Sequence, residues 1–424
     1  MVAVIIGYVP GMGVSRVGKV GVILKIGFFF VCLVVMVSLQ SISTFDALKT
    51  DDPSFSPAPA SHTVDPGSDI DDTPDELEVL TVTDVEGDIS EPDIDISSIL
   101  AGSLELPVAG ATGWAAIDMP LYSEASIDSS IRSHFEAGQV FVIIDEFDEW
   151  WYVKKSDGES GWVEHRACFI NLPDVIPSIV YNVTNAYSAL THSSGYEIPG
   201  VTGEILYEAW SFNHRLSRYE FIVPTLYSTS KLLSTAQQLA LEAGDTIILH
   251  EAYRAHESQQ RSVALLRELM EENDEVRSAI EDGPWNLNWF IATSMSNHQR
   301  GVAFDVNLGK VLSSETEQIG DFSVKRITEH DVYIMPTQVH ELSPLAAIFE
   351  RPVSSRSRDA WRDVPFTDTM TPGAILLQGY FDSAGFTPLA SEWWHFNDLD
   401  GVIIASELGI NGSFFIEGIL SVVP

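Results

Sequence analysis

The sequence predicts an α+β domain with a small all-β barrel in front of it. Short apolar strands separated by turns occupy residues 139–163, whereas helical and strand-like segments alternate after Pro177. A length of 424 residues, a hydrophobic fraction of 45% and ten tryptophans are sufficient for more than one packed core. We therefore expect a globular protein with at least two folded parts.

The first 45 residues have the features of an export signal or a membrane anchor. Arg16, Lys19 and Lys25 precede an apolar run from Ile26 to Leu39, which has the length of a signal-peptide core. Extended back across Lys25, the run is also long enough to span a bilayer. Because the basic residues come first, the rest of the chain is expected outside the cytoplasm, with the segment either cleaved or retained as an anchor.

Residues 46–106 are predicted to form an acidic, disordered linker. They are rich in Asp, Glu, Pro, Ser and Thr, and no Lys or Arg occurs between Lys49 and Arg132. Such a segment cannot bury enough apolar surface to offset its ordering entropy. The net charge of −38 excludes nucleic acid as an expected partner, because no basic surface is available to neutralise phosphates. Cys32 and Cys168 are the only cysteines, and no internal disulfide is expected.

Residues 107–172 are predicted to form the small barrel. Strand-like segments at 139–144, 150–154 and 161–163 flank a turn at Ser156-Asp157-Gly158. Their order and aromatic content are similar to bacterial Src-homology-3-like domains that accompany cell-wall enzymes. The resemblance implies binding to wall peptide or glycan, and a spacer whose aromatic residues only pack its own core is an equal alternative.

Residues 173–424 are predicted to form the α+β domain. Pro173 and Pro177 mark its start. A helix is expected over 230–243, a strand over 246–250 and a second helix from His256 to about Asn273. Apolar residues of the first helix recur at helical spacing, namely Leu232, Leu233, Ala236, Leu239 and Ala240.

Two short motifs in this domain contain candidate metal ligands. His298 precedes Asp305 by seven residues, and Glu392 precedes His395 by three. Two histidines and an aspartate offer nitrogen and oxygen ligands to one ion and leave a coordination position open, as a catalytic zinc requires.

Together the motifs match a known pattern. Ser-x-His-x-x-Gly-x-Ala-x-Asp, from Ser296 to Asp305, is followed by Glu-x-x-His, from Glu392 to His395. From residue 180 onward the chain resembles the zinc D-alanyl-D-alanine carboxypeptidases and dipeptidases of the Hedgehog/DD-peptidase fold. The resemblance implies one Zn²⁺ per chain, held by His298, Asp305 and His395. It also implies that Glu392 acts as general base and then general acid.

The same resemblance implies roles for neighbouring side chains. Arg254, in the pair Tyr253-Arg254, would stabilise the oxyanion or hold the substrate, and we include Tyr253 among the expected substrate contacts. Ala255 stands where the family usually has proline, which loosens the turn. Ser296 would hydrogen-bond the terminal charged group of the substrate, and we include His340 and Trp394 among the expected substrate-binding residues. Gly301 and Ala303 are expected to let the backbone approach the metal.

His340 departs from the dipeptidase pattern. The family usually places an aromatic and an acidic residue where Val339 and His340 stand, and that acid recognises the ammonium of a free dipeptide. His340 removes the charge, and neighbouring Glu341 is a candidate to replace it. The Glu-Trp-Trp-His-Phe segment favours a dipeptidase, whereas His340, export and the barrel favour a longer peptide.

The leading prediction is an exported zinc peptidase that hydrolyses D-amino-acid peptide bonds of peptidoglycan stem peptides, with D-alanyl-D-alanine carboxypeptidase as the leading activity. A D-alanyl-D-alanine dipeptidase and a catalytically inactive wall-binding module are the alternatives. The protein would be membrane-anchored or secreted to the cell wall. Ser228 and Lys231 have the spacing of serine penicillin-binding enzymes, but the chain contains no Lys-Thr-Gly. Ser228 or Ser230 is instead expected to cap a helix.

Overall fold

The computed structural model describes residues 102–416 and 418–424. The predicted signal or anchor, 1–45, and the predicted linker as far as residue 101 lie outside the described residues. The last five linker positions are packed rather than extended: Leu106 is buried, and the backbone N–H groups of Glu105 and Leu106 donate to the carbonyl of Val175. In the part of the chain that is described, no helix combines the length and apolar character needed to cross a bilayer.

The described chain contains the following strands and helices. The strands are β1 (Thr112–Ala115), β2 (Met119–Tyr122), β3 (Ile131–Phe135), β4 (Val140–Phe147), β5 (Trp150–Lys155), β6 (Ser160–Glu164), β7 (Cys168–Asn171), β8 (Val180–Tyr181), β9 (His192–Ser193), β10 (Tyr196–Glu197), β11 (Trp210–Asn213), β12 (Arg218–Phe221), β13 (Pro224–Leu226), β14 (Asp245–Glu251), β15 (Ala303–Ile319), β16 (Phe322–Val332), β17 (Thr387–Leu389) and β18 (Glu392–Asn397). The α-helices are α1 (Leu172–Val175), α2 (Tyr227–Glu242), α3 (His256–Glu272), α4 (Asp274–Glu281), α5 (Leu287–Phe290), α6 (Pro372–Ser383) and α7 (Leu399–Leu408).

The N-terminal part is an antiparallel sheet of eight strands, and the predicted strands at 139–144, 150–154 and 161–163 are confirmed as β4, β5 and β6. The strand order is β13-β7-β1-β4-β5-β6-β2-β3. The hydrogen-bonded path is open, so the expectation of a closed barrel is corrected. The extra strand β13 comes from beyond residue 172, and it extends the sheet at the β7 edge.

Side chains on β5 alternate between the core and the outer face of this sheet. Trp151 is fully buried and packs against Phe141. Trp150 and Tyr152 point the other way, where they are half-buried and pack against Tyr122 and Trp162 respectively. The aromatic residues therefore serve both the core and an outer face.

The second part is built on a mixed sheet with helices around it, which confirms the α+β class. Its strand order is β17-β18-β15-β14-β8, and β16 pairs with β15 in a long antiparallel ribbon. The predicted helix over 230–243, strand over 246–250 and helix from His256 are confirmed as α2, β14 and α3.

The expected serine cap of α2 is wrong. The helix begins at Tyr227, so Ser228 and Ser230 lie inside its first turn. Ser230 Oγ donates to the carbonyl of Tyr227 at 2.7 Å. Ser228 Oγ is buried and has no hydrogen-bond partner among the described residues.

Buried Asp174 links the first sheet to the β11–β12 hairpin. Its Oδ2 accepts from the backbone N–H of Thr112 on β1 at 2.9 Å, and its Oδ1 accepts from Asn213 Nδ2 at 2.6 Å. Asn213 ends β11, so one carboxylate connects the first sheet to the β11–β12 hairpin. The described residues fall within one compact unit.

Replacing Asp174 with alanine is expected to destabilise the protein by about 2–4 kcal/mol, because two buried donors lose their acceptor. The measurement is the free energy of unfolding from denaturant titration. Asp363→Ala is the matched control, since Asp363 is exposed and has no hydrogen bond or ion pair to a described residue; it should change stability by less than about 0.5 kcal/mol. Equal effects of the two substitutions would contradict this role for Asp174.

Candidate metal centre

Three neighbouring strands place acidic and imidazole side chains in one row. In the register of the sheet, Glu251 on β14 lies opposite Asp305 on β15, and Asp305 lies opposite His395 on β18. Directly opposed residues in an antiparallel pair project to the same face. A β-bulge between Leu249 and Glu251 sets this register at the end of β14.

His298 completes a cluster of three buried potential ligands. His298 Nε2 lies 3.3 Å from Asp305 Oδ1 and 3.2 Å from His395 Nδ1, and His395 Nδ1 lies 2.9 Å from the same Asp305 oxygen. The three residues are buried, and their ligand atoms are close enough to hold one metal ion. The predicted ligands of the two separate motifs are thus brought to one point.

The outward-facing ring nitrogens have their own partners. His298 Nδ1 lies 2.7 Å from the carbonyl of Ala252, and His395 Nε2 lies 3.0 Å from Asn397 Oδ1. A carbonyl oxygen accepts only from an N–H, so in the neutral form of each ring the other nitrogen has a lone pair that is available to an ion. Asn297 Nδ2 donates to Asn397 Oδ1 at 2.7 Å and fixes that side chain in turn.

The second oxygen of Asp305 faces two further groups. His340 Nε2 lies 3.1 Å from Oδ2, and the guanidinium of Arg254 lies 3.5 Å from it. Burial by itself would raise the pKa of Asp305, but the charge of His298 and the hydrogen bonds from His298, His340 and His395 outweigh it and hold the pKa well below its usual range. Asp305 is therefore the ionised centre of the cluster.

Glu392 lies beside the cluster because its strand is irregular. In a regular strand, residues three apart point to opposite faces, which would separate Glu392 from His395. The pairing of β17 with β18 shifts between Pro388 and Leu389, and Glu392 Oε2 consequently lies 3.7 Å from His395 Nδ1. Burial raises the pKa of Glu392 to about 8, and the charge of Asp305 adds to this effect. A carboxyl group whose pKa lies near neutral pH is suited to general acid–base catalysis.

A cavity of about 670 Å³ opens onto the cluster. Of the residues that sequence analysis selected, the cavity is lined by Arg254, Ser296, His298, Asp305, His340, Glu392, Trp394 and His395. This volume is in the range of small-molecule sites.

Two expectations about surrounding residues change in the structure. Tyr253 is not brought to this cavity, because its hydroxyl donates to the carbonyl of Phe414 at 2.6 Å and its ring lines a different hollow. Gly301 serves packing rather than approach to an ion: it has φ of 64°, and a Cβ there would lie 2.9 Å from the ring of Phe169 and 3.0 Å from the backbone nitrogen of Leu226.

Glu341 does not supply the charge that His340 lacks. Glu341 Oε2 lies 2.8 Å from His192 Nε2, and its carboxylate also accepts from the backbone N–H groups of Ser194 and Gly195. It does not line the cavity. His340 itself bonds Asp305, so its first contact is with a candidate ligand rather than with open cavity space.

Sequence reasoning missed Glu251. It is fully buried, accepts from Asn185 Nδ2 at 2.7 Å and pairs with Arg254. Glu251, Asp305 and His340 are also close enough to form a second metal-binding group. The guanidinium of Arg254, however, contacts both Glu251 and Asp305, so a positive charge already occupies the space between them. Only the strand register exposes this arrangement, and no local motif signals it.

Comparison with known proteins identifies one part of the chain. Residues 115–168 match the bacterial SH3 domain family. The first sheet therefore contains a bacterial SH3 domain, which lies within the predicted range 107–172. No curated protein matches the chain.

The cluster predicts that His298→Ala abolishes stoichiometric metal binding, because one of three convergent ligands is lost. Metal content of the purified protein, measured by mass spectrometry after dialysis, should fall from about one equivalent to background. His134→Ala is the matched control, since His134 is exposed on β3 of the other sheet. Full metal content in His298→Ala would rule out this cluster as the binding site.

Proposed function

We propose that the protein is a zinc peptidase that hydrolyses D-amino-acid peptide bonds of peptidoglycan stem peptides, acting as a D-alanyl-D-alanine carboxypeptidase. The observation that carries the proposal is the convergence of His298, Asp305 and His395 with buried Glu392 at the floor of one cavity. The order and types of these residues resemble the zinc D-alanyl-D-alanine peptidases, and the geometry supports the roles that this resemblance implies.

The ligand set fits zinc. Tetrahedral zinc with ligands at about 2.0–2.1 Å requires ligand atoms roughly 3.3 Å apart. The three separations in the cluster are 2.9, 3.2 and 3.3 Å. Both histidines have carbonyl-type acceptors on their far nitrogens, as zinc-bound histidines usually do.

The chain's own residues account for the proton transfers and the charge stabilisation. A zinc ion held by His298, Asp305 and His395 would supply a Lewis acid that polarises the scissile carbonyl and acidifies water. Glu392 takes a proton from the attacking water and returns it to the departing amine. Arg254 is held by Glu251 at the cavity wall, where its charge stabilises the negative oxygen that forms on the carbonyl.

The charges in the cavity favour a carboxypeptidase over a dipeptidase. A free dipeptide presents an ammonium close to the scissile bond, and its recognition requires a carboxylate. Among the residues that the structure describes, the acids that line the cavity are Asp305 and Glu392, which belong to the proposed catalytic machinery. Neither His340 nor Glu341 supplies another. A substrate whose amine is already acylated, as in a longer peptide, is therefore preferred.

The bacterial SH3 domain supports a cell-wall setting for this activity. We propose that it contacts wall peptide or glycan through its outer face, and that the protein acts outside the cytoplasm. The half-buried rings of Tyr122, Trp150, Tyr152 and Trp162 offer flat apolar surfaces for such a ligand.

Glu392→Gln is expected to lower D-alanine release from a muramyl pentapeptide by about 10²–10⁴-fold, because glutamine cannot accept the proton of the attacking water. Metal content should stay at that of the parent, since Glu392 is not among the three ligands. The measurement is D-alanine release by the protein with and without chelator. Undiminished turnover in Glu392→Gln, or turnover that continues after complete metal removal, would contradict the proposed mechanism.

Substrate choice supplies a separate test. The parent protein should release D-alanine from the pentapeptide and from N-acetyl-D-alanyl-D-alanine, but at least tenfold more slowly from free D-alanyl-D-alanine, whose ammonium has no partner in the cavity. The acetylated dipeptide is the matched control because its small acetyl group removes the ammonium charge and leaves both D-alanine residues unchanged. Preference for the free dipeptide would shift the assignment to a dipeptidase. Absence of release from all three, with metal bound, would favour another wall bond or a binding module.

A further inference from the structure

Two arginines that line the same cavity have no acidic partner. Arg300 and Arg356 make no side-chain hydrogen bond or ion pair to any residue in the described ranges. The Nε of Arg300 is also buried without an acceptor. Arg300 ends the short 3₁₀ helix that begins at His298, so its backbone lies one turn from a candidate ligand. Arg356 reaches the cavity from the loop between β16 and α6.

Several basic residues of the described chain lack an acidic partner, and half-buried Arg300 and exposed Arg356 are the two of them that line this cavity. There are 61 acidic residues for 23 lysines and arginines, so an arginine has many opportunities to pair. Arg254, the third arginine that lines the cavity, is paired with acidic residues and contacts both Glu251 and Asp305. Arg300 and Arg356 instead leave two positive charges uncompensated in a cavity of a strongly acidic protein.

The two guanidinium groups are close enough to affect each other. Burial lowers the pKa of Arg300, and the charge of Arg356 lowers it further. Two like charges near one another are unfavourable unless an anion joins them. Guanidinium groups bind planar carboxylates through paired N–H···O contacts, and two of them facing one carboxylate would make such a contact strong and directional.

We propose that Arg300 and Arg356 form a carboxylate-binding subsite that selects anionic peptides for the adjacent centre. The identity of the ligand rests on the proposed function: a stem peptide contains a carboxylate at its C-terminus and others on interior residues. The subsite explains how an acidic protein binds an acidic substrate, because the local charge of the cavity is opposite to that of the whole chain.

The test measures binding in the absence of turnover. The full-length protein with Glu392→Gln is titrated calorimetrically with a synthetic stem pentapeptide that has glutamate at position two and ends in D-alanyl-D-alanine. Adding Arg356→Gln should weaken binding by about ten- to a hundredfold. Two further peptides, one amidated at the C-terminus and one at the glutamate, identify the carboxylate that is bound. Amidation of that carboxylate should weaken binding to the protein with Glu392→Gln alone. Arg356→Gln should then cause no further loss of binding.

Arg351→Gln is the matched control, because Arg351 is exposed in the same loop and does not line the cavity. It should leave binding unchanged. Arg300→Gln should reproduce the loss seen with Arg356→Gln, and Arg356→Gln decides the matter if Arg300→Gln does not fold. Equal binding of the pentapeptide by the Glu392→Gln protein with and without Arg356→Gln would overturn the subsite. Absence of binding of all three peptides would overturn it as well.

The outcomes separate this inference from the proposed function. If the parent protein hydrolyses the pentapeptide and Arg356→Gln has the same kcat/KM, the peptidase stands and the subsite falls. If no hydrolysis occurs but Arg356→Gln still weakens binding, the subsite stands as part of a peptide-binding module and the peptidase falls.

Discussion

The burial of the Asp305 carboxylate is the constraint on which the second half of the protein depends. A buried, ionised carboxylate costs several kcal/mol unless positive charge and hydrogen bonds surround it. One oxygen of Asp305 faces His298 and His395, and the other faces His340 and Arg254. These groups come from separate segments, so the chain must fold fully before the charge is satisfied. The candidate metal centre is consequently also a structural centre of the α+β domain.

Two carboxyl groups a few ångströms apart have opposite proton affinities in this site. Asp305 is held ionised by its histidine neighbours, whereas burial raises the pKa of Glu392 to about 8. The difference follows from their surroundings: the charge of His298 and the hydrogen bonds of three histidines lower the pKa of Asp305, whereas burial is the largest effect on Glu392, whose Oε2 lies 3.7 Å from His395 Nδ1. Such a division separates a group that holds a charge from a group that moves a proton, which is how acid and base roles are assigned in many enzymes.

Local patterns were sufficient to predict several elements and to select the residues of the cluster, but not the contacts made through the sheet. Strands β4 to β6, helices α2 and α3, and the convergence of His298 with His395 follow from periodicity and from a motif whose spacing reflects the fold. Glu251 is brought to the site by the register of β14 and β15. That register includes a β-bulge, which no residue type predicts. The edge strand of the first sheet beside β7 is β13, a three-residue strand from outside the predicted barrel. Arg356 enters the cavity from a loop without periodicity, so its role could not be predicted.

The first sheet is connected to the candidate metal centre by hydrogen bonds as well as by the chain. Strand β13 pairs with β7 of the first sheet, and its Thr225 Oγ1 and Leu226 N both donate to the carbonyl of Gly301, at 2.8 and 2.9 Å. Gly301 ends the 3₁₀ turn that begins with His298, and its missing side chain is what lets Phe169 and β13 approach. A domain that served only as a spacer would not require these hydrogen bonds to Gly301. A ligand bound to the first sheet would therefore be held at a defined distance from the cluster.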